Sequence, residues 1–494
     1  MTKNLIYLFV LIMGAESMAL EMAMSRLFAP YFGTSLFVWG AIIGVVLTAL
    51  SFGYWYGGKL ADKKPDQKNL FKIGIVGSLI ISLVTVVFDG VFSPFNKGVI
   101  FFEAPFMVVG LLILSLVLFS LPVFFFGMIC PFAVRVISKD VVDSGKDAGN
   151  IFAFSTLGSI LGVFVPSFVT IPYLGARETI FAMAFLGLLA SLMYFRKRIL
   201  VFGLLAVPIA LYLLSSLFYQ KAPHEVLAKE TPYQLVRVFE EDGEKELIIN
   251  TRAAVQSVYN PHKELLGKYW DSFSALPYLQ DFETRHREVL ILGVAGGTIP
   301  HQMRRLAGDD FDFDITGVEI DGELIDIARR EFDYHETTVI ADARAYLYST
   351  QEKYDLIFID TYGQEAFVPA HLATTEFFSL VKSKLSDQGI VAVNINAPSV
   401  GVTYYQKMAN SFAKAFPSSY SAKVGDTWNY LFLGSFDELD FDVLWDIKNE
   451  TIRLMAVDFF DVERIEYDPE EAYFSDNKSD IEQQTVGMYW EAIK

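Results

Sequence analysis

The chain has 494 residues, 53% of them apolar, and a mean hydropathy of +0.35, too apolar for an ordinary soluble enzyme. Residues 1–221 carry 16 Lys/Arg against 10 Asp/Glu, a net of +6, whereas the remainder carries 24 against 48, a net of −24. The acidic part argues against nucleic acid as a partner and suits small cations, or a solubilising surface. A single cysteine, Cys130, excludes a disulfide framework or a cysteine-based metal site, and no HxxxH pair occurs, so no metal is expected.

Seven apolar stretches lie at 5–29, 36–58, 71–90, 104–128, 150–173, 178–195 and 199–219. Each is near the roughly 20 residues that a bilayer-crossing helix needs. The first lacks a signal-peptide cleavage pattern and is too long for one. Pro122 and Pro131 predict kinks in the fourth, because proline removes a helix hydrogen bond. The pairs Gly40/Gly44, Gly53/Gly57 and Gly158/Gly162 predict close helix packing. Glu16, Glu21 and Arg26 lie in or near the first span, where a charge costs a few kcal/mol. The two acids can neutralise a cationic substrate or anchor the helix to its neighbours. Lys/Arg cluster in alternate loops: Lys59, Lys63, Lys64, Lys68 and Lys72; Arg135, Lys139 and Lys146; Arg196, Lys197 and Arg198. The other loops hold little beyond Lys97 and Arg177. This bias puts the N-terminus in the cytoplasm and, after seven spans, the C-terminal domain outside it.

Residues 230–290 read as β-rich, with strands at Leu235–Phe239 and Glu246–Asn250 around the hairpin signal Asp242-Gly243. From Glu288 the pattern alternates strand and helix. Val289–Leu292 is a continuous apolar run leading into Gly293-Val294-Ala295-Gly296-Gly297 and an amphipathic helix. Further strands follow at Phe313–Glu319, Thr338–Ala341, Asp355–Ile359 and Ile390–Ile395, with a helix at 374–385. This alternation implies a parallel doubly wound sheet, which binds ligands at the carboxyl ends of its strands. The expected fold is therefore a multi-pass α-helical membrane domain (1–220), a small β subdomain (221–287) and a Rossmann-like, methyltransferase-type α/β domain (288–494).

Glu319, Asp342 and Asp360 all fall at strand ends. The turn at Gly293, Gly296 and Gly297 lets backbone approach a ligand, and the helix start offers free N–H groups. Glu319, 22 residues beyond Gly297, can accept both ribose hydroxyls, or merely neighbour a helix cap. Asp342 can accept from an adenine amino group, or cap the helix beginning near Ala343. Asp360 can act as a general base or cation anchor, or shape a turn. No phosphate-binding lysine follows the glycines, which excludes a P-loop.

The series Thr231-Pro232-Tyr233-Gln234, Gln256, Tyr269, Gly293–Gly297, Glu319, Asp342 and Phe358-Ile359-Asp360 resembles, in order and spacing, the landmarks of spermidine synthases. The similarity covers about 225–435. The first half, through Gly14–Gly33, Trp39–Asp62 and Asn150–Gly175, is similar to bacterial proteins in which transporter-like helices are fused to a spermidine synthase domain. The resemblance implies nucleotide contacts from Gln234 and Gln256, Asp360 as the base that deprotonates an attacking amine, and Tyr269 as its positioning partner. It implies aminopropyl transfer from decarboxylated S-adenosylmethionine to an amine such as putrescine, with release of methylthioadenosine.

Departures qualify this. The family's acid in the glycine turn is replaced by Val294 and Ala295, and its second acid past the base by Gly363. His or Gln followed by Glu after the tyrosine becomes Trp270 and Asp271. Losing the turn acid leaves intact S-adenosylmethionine as an alternative co-substrate. Asp271, Tyr362, Glu365 or the membrane acids Glu16 and Glu21 are the candidates for replacing the lost amine contacts. Methylthioadenosine release without an acceptor (a lyase) and methyl transfer are further readings of the same pocket. A transporter or sensor with a non-catalytic synthase-like domain is the reading from another class. Expected partners are the amine, the lipid bilayer and, as a homodimer, a second copy of the chain. The expected location is the cell (inner) membrane. There the charge bias and the cytosolic supply of nucleotide place the C-terminal domain on opposite sides.

Overall fold

Apolar sequence becomes long helix throughout the first half: α1 (Lys3–Phe32), α2 (Leu36–Lys63), α3 (Gln67–Asn96), α4 (Pro105–Ile137), α5 (Ser144–Val165), α6 (Ala176–Leu192) and α7 (Ala206–Phe218). The structure, a computed structural model, describes residues 3–32, 36–96, 105–138, 144–218, 221–250, 255–280, 284–362 and 368–491. Gly33, Lys97, Lys139, Gly363 and Glu365 lie outside the described residues. The chain divides into two compact units, Met1–Leu235 and Val236–Lys494.

In the first unit, seven helical segments among the described residues are long and apolar enough to cross a membrane. They match the seven stretches read from the sequence. Helix α4 stays helical through Pro122 and Pro131. The glycine pairs do not behave alike. A Cβ on Gly158 or Gly162 would meet the backbone oxygens of Leu11 and Ala15 at 1.9 and 2.2 Å, so α5 packs directly on α1. Gly53 and Gly57 serve α2 in the same way against Phe124 and Met128 of α4. Among the described residues Gly40 and Gly44 have nothing within 4 Å of such a Cβ, so the predicted close packing is not made there. The spacing is the same; only the neighbours differ. Arg26 donates to the carbonyls of Pro232 and Tyr233 and so ties α1 to the turn carrying Gln234.

In the second unit β2 (Leu235–Glu241), β3 (Glu244–Ile249) and β4 (Val255–Tyr259) form an antiparallel meander; the strand β1 (Glu225–Glu230) precedes them in the chain. Asp242 and Gly243 take φ of 51° and 79°, the left-handed pair of a tight hairpin turn. The α/β layer contains β5 (His286–Leu292), α8 (Thr298–Ala307), β6 (Asp312–Glu319), α9 (Gly322–Glu331), β7 (Thr337–Ile340), α10 (Ala343–Ser349) and β8 (Tyr354–Ile359). It continues with α11 (Thr375–Lys382), β9 (Leu385–Asn396), α12 (Thr403–Ala415), β10 (Ser418–Lys423), β11 (Asn429–Ser435) and a short β12 (Glu463–Arg464). Sheet order is β12-β10-β11-β9-β8-β5-β6-β7. Strands β5 to β9 run parallel, and β11 and β10 join antiparallel at one side. The chain winds outward from β5 to β7, then returns to β8 on the other side of β5. The resulting switch point lies between β5 and β8, where such sheets bind ligands. Two apolar clusters flank the sheet, one around Leu290, Ile357 and Phe412 and one around Val289, Phe358 and Leu431. Successive residues of β5 and β8 thus feed opposite faces, as both-face burial requires.

Candidate functional site

The glycine turn leaves β5 at the switch point, and each glycine has a neighbour that a side chain would strike. A Cβ on Gly293 would lie 2.4 Å from the Asp360 carbonyl oxygen, and on Gly296 it would lie 2.7 Å from Ser257 Cβ. Gly297 has φ +84°, and its Cβ would lie 2.4 Å from Tyr334 Cδ2. Gly297→Ala is therefore expected to cost about 1–3 kcal/mol of stability, through backbone strain and the clash with a buried ring. Thermal unfolding checks this, and an unchanged Tm would contradict it. Val294 points away from the turn into a cluster with Ile325, Ala328 and Tyr334, which leaves Ala295 half-exposed.

Glu319 ends β6 as expected and is buried. Its Oε2 accepts from the Val294 and Ala295 N–H groups at 3.2 Å each, and its Oε1 accepts from Asp321 N at 3.2 Å. Burial pushes this carboxyl above its ordinary range, and those three N–H groups pull it part of the way back. The carboxylate thus braces the glycine turn and is available at the strand end. Asp342 caps α10, accepting from Ala345 N at 2.9 Å, and its second oxygen meets His371 Nε2 at 2.8 Å. Burial acts to raise the Asp342 carboxyl, but the Ala345 N–H and His371 outweigh it and hold it below the usual range. The capping role is thus real.

Asp360, just past β8, sits between two donors. Tyr269 Oη donates to its Oδ2 at 2.8 Å, and Asn394 Nδ2 donates to its Oδ1 at 2.9 Å. Asn429 fixes the Asn394 amide by donating to its Oδ1 at 3.0 Å. Burial raises the Asp360 carboxyl above the carboxylate range, against the Asn394 amide, the Tyr269 hydroxyl and the Trp270 indole, which all favour its charged form. Burial and the neighbouring Asp360 charge push the Tyr269 hydroxyl well up, so it stays a neutral donor. Tyr362 is anchored on β9, donating to Asn394 O at 2.8 Å and accepting from Asn396 N at 2.9 Å. A cavity beside Asp360 is lined by Thr361, Tyr362, Leu372, Phe378, Asn394 and Met408. The buried Thr361 Oγ1 has no hydrogen-bond partner among the described residues.

Not every candidate joins this group. Asp271 is buried with both oxygens engaged: Leu266 N at 2.9 Å, Gly267 N at 2.7 Å and Gln302 Nε2 at 2.6 Å. It organises its own loop. Gln256 lies on β4 beside Ser257, whose Oγ accepts from Gly296 N at 2.8 Å. Gln234, Glu16 and Glu21 belong to the first unit, and Glu365 lies outside the described residues. Sequence reasoning missed Asn394, Asn429, His371 and the indole of Trp270. Only Asn394 left a signal, as a polar residue inside the apolar run Ile390–Ile395.

Residues 275–426 match the family profile of the spermine/spermidine synthase domain, so the C-terminal part of the chain carries a domain of that type. A probable polyamine aminopropyl transferase of Bifidobacterium longum is 32% identical over 205 residues, 40% of this chain and 44% of that protein. A polyamine aminopropyltransferase of Vibrio vulnificus is 31% identical over 150 residues, 29% of this chain and 48% of that protein. The chain thus spans less than half the length of these two relatives. Polyamine aminopropyltransferase 2 of Ralstonia nicotianae is 23% identical over 433 residues, 80% of this chain and 79% of that protein, a stretch longer than the second unit alone.

Proposed function

We propose that this chain is a membrane-embedded, aminopropyltransferase-like enzyme whose second unit joins an S-adenosyl nucleotide to an amine. The observation that carries this reading is Asp360: a carboxylate at the switch point, held on both oxygens by Tyr269 and Asn394, beside the glycine turn and Glu319. Glu319 would accept the ribose hydroxyls, Asp342 would meet the adenine, and Gln256 would complete the nucleotide contacts. Decarboxylated S-adenosylmethionine is the proposed donor, and a small cationic amine such as putrescine the acceptor. The amine lone pair attacks the carbon next to the sulfonium sulfur. The C–S bond breaks toward sulfur, methylthioadenosine leaves, and the proton of the new ammonium passes to Asp360. Only the neutral amine is a nucleophile, so a base whose affinity for protons is raised by burial suits the step. Seven apolar helices, with Phe52, Trp55, Phe164 and Phe168 exposed on their surface, support the membrane part of the reading.

Incubating the purified full-length protein with each nucleotide and several amines tests the proposal by its products. Amine-dependent methylthioadenosine supports transfer. Its release without amine points to the lyase, and S-adenosylhomocysteine points to methyl transfer. No product under any combination sinks the enzymatic reading and leaves the transporter or sensor. The lyase has one observation in its favour: Asp271 is fully engaged in its loop, and Ala295 replaces the turn acid, so few carboxylates remain to grip an acceptor amine.

Tyr269→Phe is expected to move the acidic limb of the pH–rate profile upward by about one unit, because Asp360 loses a donor to its charged form. A limb that stays in place would remove Tyr269 from the catalytic group.

A further inference from the structure

Helix α3 carries a polar stripe inside an apolar bundle. Ser78, Ser82, Thr85 and Asp89 recur at the spacing of one helix face, and all four are buried. From Ser78 to Asp89 the stripe runs about 16 Å, at a rise of roughly 1.5 Å per residue. One end meets Glu16 of α1, which is 1% exposed. Ser78 Oγ donates to Glu16 Oε2 at 2.9 Å, while the buried Glu16 Oε1 has no hydrogen-bond partner among the described residues. Gly187 of α6 makes room for the carboxyl: a Cβ there would lie 1.8 Å from Glu16 Oε2. At the other end Asp89 accepts from Ser215 and faces Arg177 at 3.4 Å.

Several ionisable groups on the packed helices are engaged elsewhere. Asp147 of α5 pairs with Lys3, Arg135 of α4 with Asp62, and Glu178 of α6 accepts from Tyr212. Cys130 of α4 donates to Ser155. Glu21 is a second buried acid of α1. Among the described residues no ion pair reaches Glu16. A bare carboxylate there would leave one buried oxygen with neither a donor nor a counter-ion, at a cost of several kcal/mol. On the Oε2 side Gly187 and Ser78 pack directly against the carboxyl.

We infer that Glu16 is a proton-binding site inside the helical bundle, its carboxyl carrying a proton with Ser78 as donor to the other oxygen. Ser82 and Thr85 donate instead to the carbonyls of Ser78 and Ile81 within α3, so of these three hydroxyls Ser78 alone meets the carboxyl. The inference rests on burial inside the helical bundle, not on the transferase reading, so the product assay and the test below fail independently.

Infrared difference spectroscopy of the full-length protein in lipid is the test. A protonated-carboxyl band that Glu16→Gln removes is expected, together with a shift of that band in Ser78→Ala, which loses the one donor. Absence of the band at acidic and neutral pH alike overturns the site. So does its loss on adding sodium or potassium at fixed pH, which would make an alkali cation the ligand. If Glu16→Gln fails to fold, the Ser78→Ala shift in the otherwise intact chain still decides the assignment.

Discussion

Asp360→Asn is expected to lower the rate of methylthioadenosine formation by about 10²–10⁴-fold, the usual contribution of a positioned general base. The amide oxygen can keep the hydrogen bond from Asn394 while its NH2 donates to the Tyr269 hydroxyl, which rotates to accept, so the local geometry survives while the proton acceptor is gone. Nucleotide affinity should change only a few-fold, since Glu319 and the glycine turn are untouched. The variant should also unfold at a higher temperature at neutral pH. The folded-state carboxyl titrates above its unfolded value. The native state therefore binds more protons than the unfolded chain in the window between the two, and stability falls as pH rises through it. Asn removes that loss. Single-turnover kinetics, calorimetric nucleotide titration and a thermal melt read the three effects separately. A variant that keeps the full rate would remove Asp360 from the chemistry and leave a binding or sensing domain.

Glu319→Gln should weaken nucleotide binding by about 1.5–3 kcal/mol, or about 10–150-fold in Kd, the worth of hydrogen bonds to a charged acceptor. Saturating nucleotide should restore most of the rate, because the group that moves the proton is intact. Glu319 also accepts from Val294, Ala295 and Asp321, and Gln retains an accepting oxygen for part of that set. Because burial raises this carboxyl, wild-type affinity should fall as pH drops through its raised value, and the variant should lack that dependence. Equal affinities for wild type and variant, or an identical pH profile in both, would contradict a ribose contact at Glu319.

Both substitutions probe positions that are legible in the amino-acid sequence. Glu319, Asp342 and Asp360 stand out because each follows an apolar run that has to be a buried parallel strand, and the doubly wound sheet directs those ends to one edge. The seven apolar stretches and the Asp242-Gly243 hairpin are equally local signals. Each depends on residues within one helix or one turn.

What surrounds those positions is decided across the sheet and the bundle. Asn394 reaches Asp360 because β9 pairs beside β8 in the register Ile359↔Val393. No neighbour in the chain of either residue announces that contact. Asp271 reads in the sequence as a spare acid near the tyrosine, yet Gln302 on α8 and two loop N–H groups take both its oxygens. His371 lies 29 residues from Asp342 and meets it only because the strand ends converge. Gly40/Gly44 and Gly158/Gly162 share one spacing, but only the second pair has a helix to press against. Glu16 is legible as a charge in an apolar helix; its place at the end of the α3 hydroxyl stripe is not. The sequence alone marked the seven apolar helices, the strands β5 to β9 and the acids that end three of them, because hydrophobic periodicity is a short-range property. The tertiary structure alone decided which of those acids has partners and which partners they are, because burial and hydrogen bonding of a polar group are settled by segments far away in the chain.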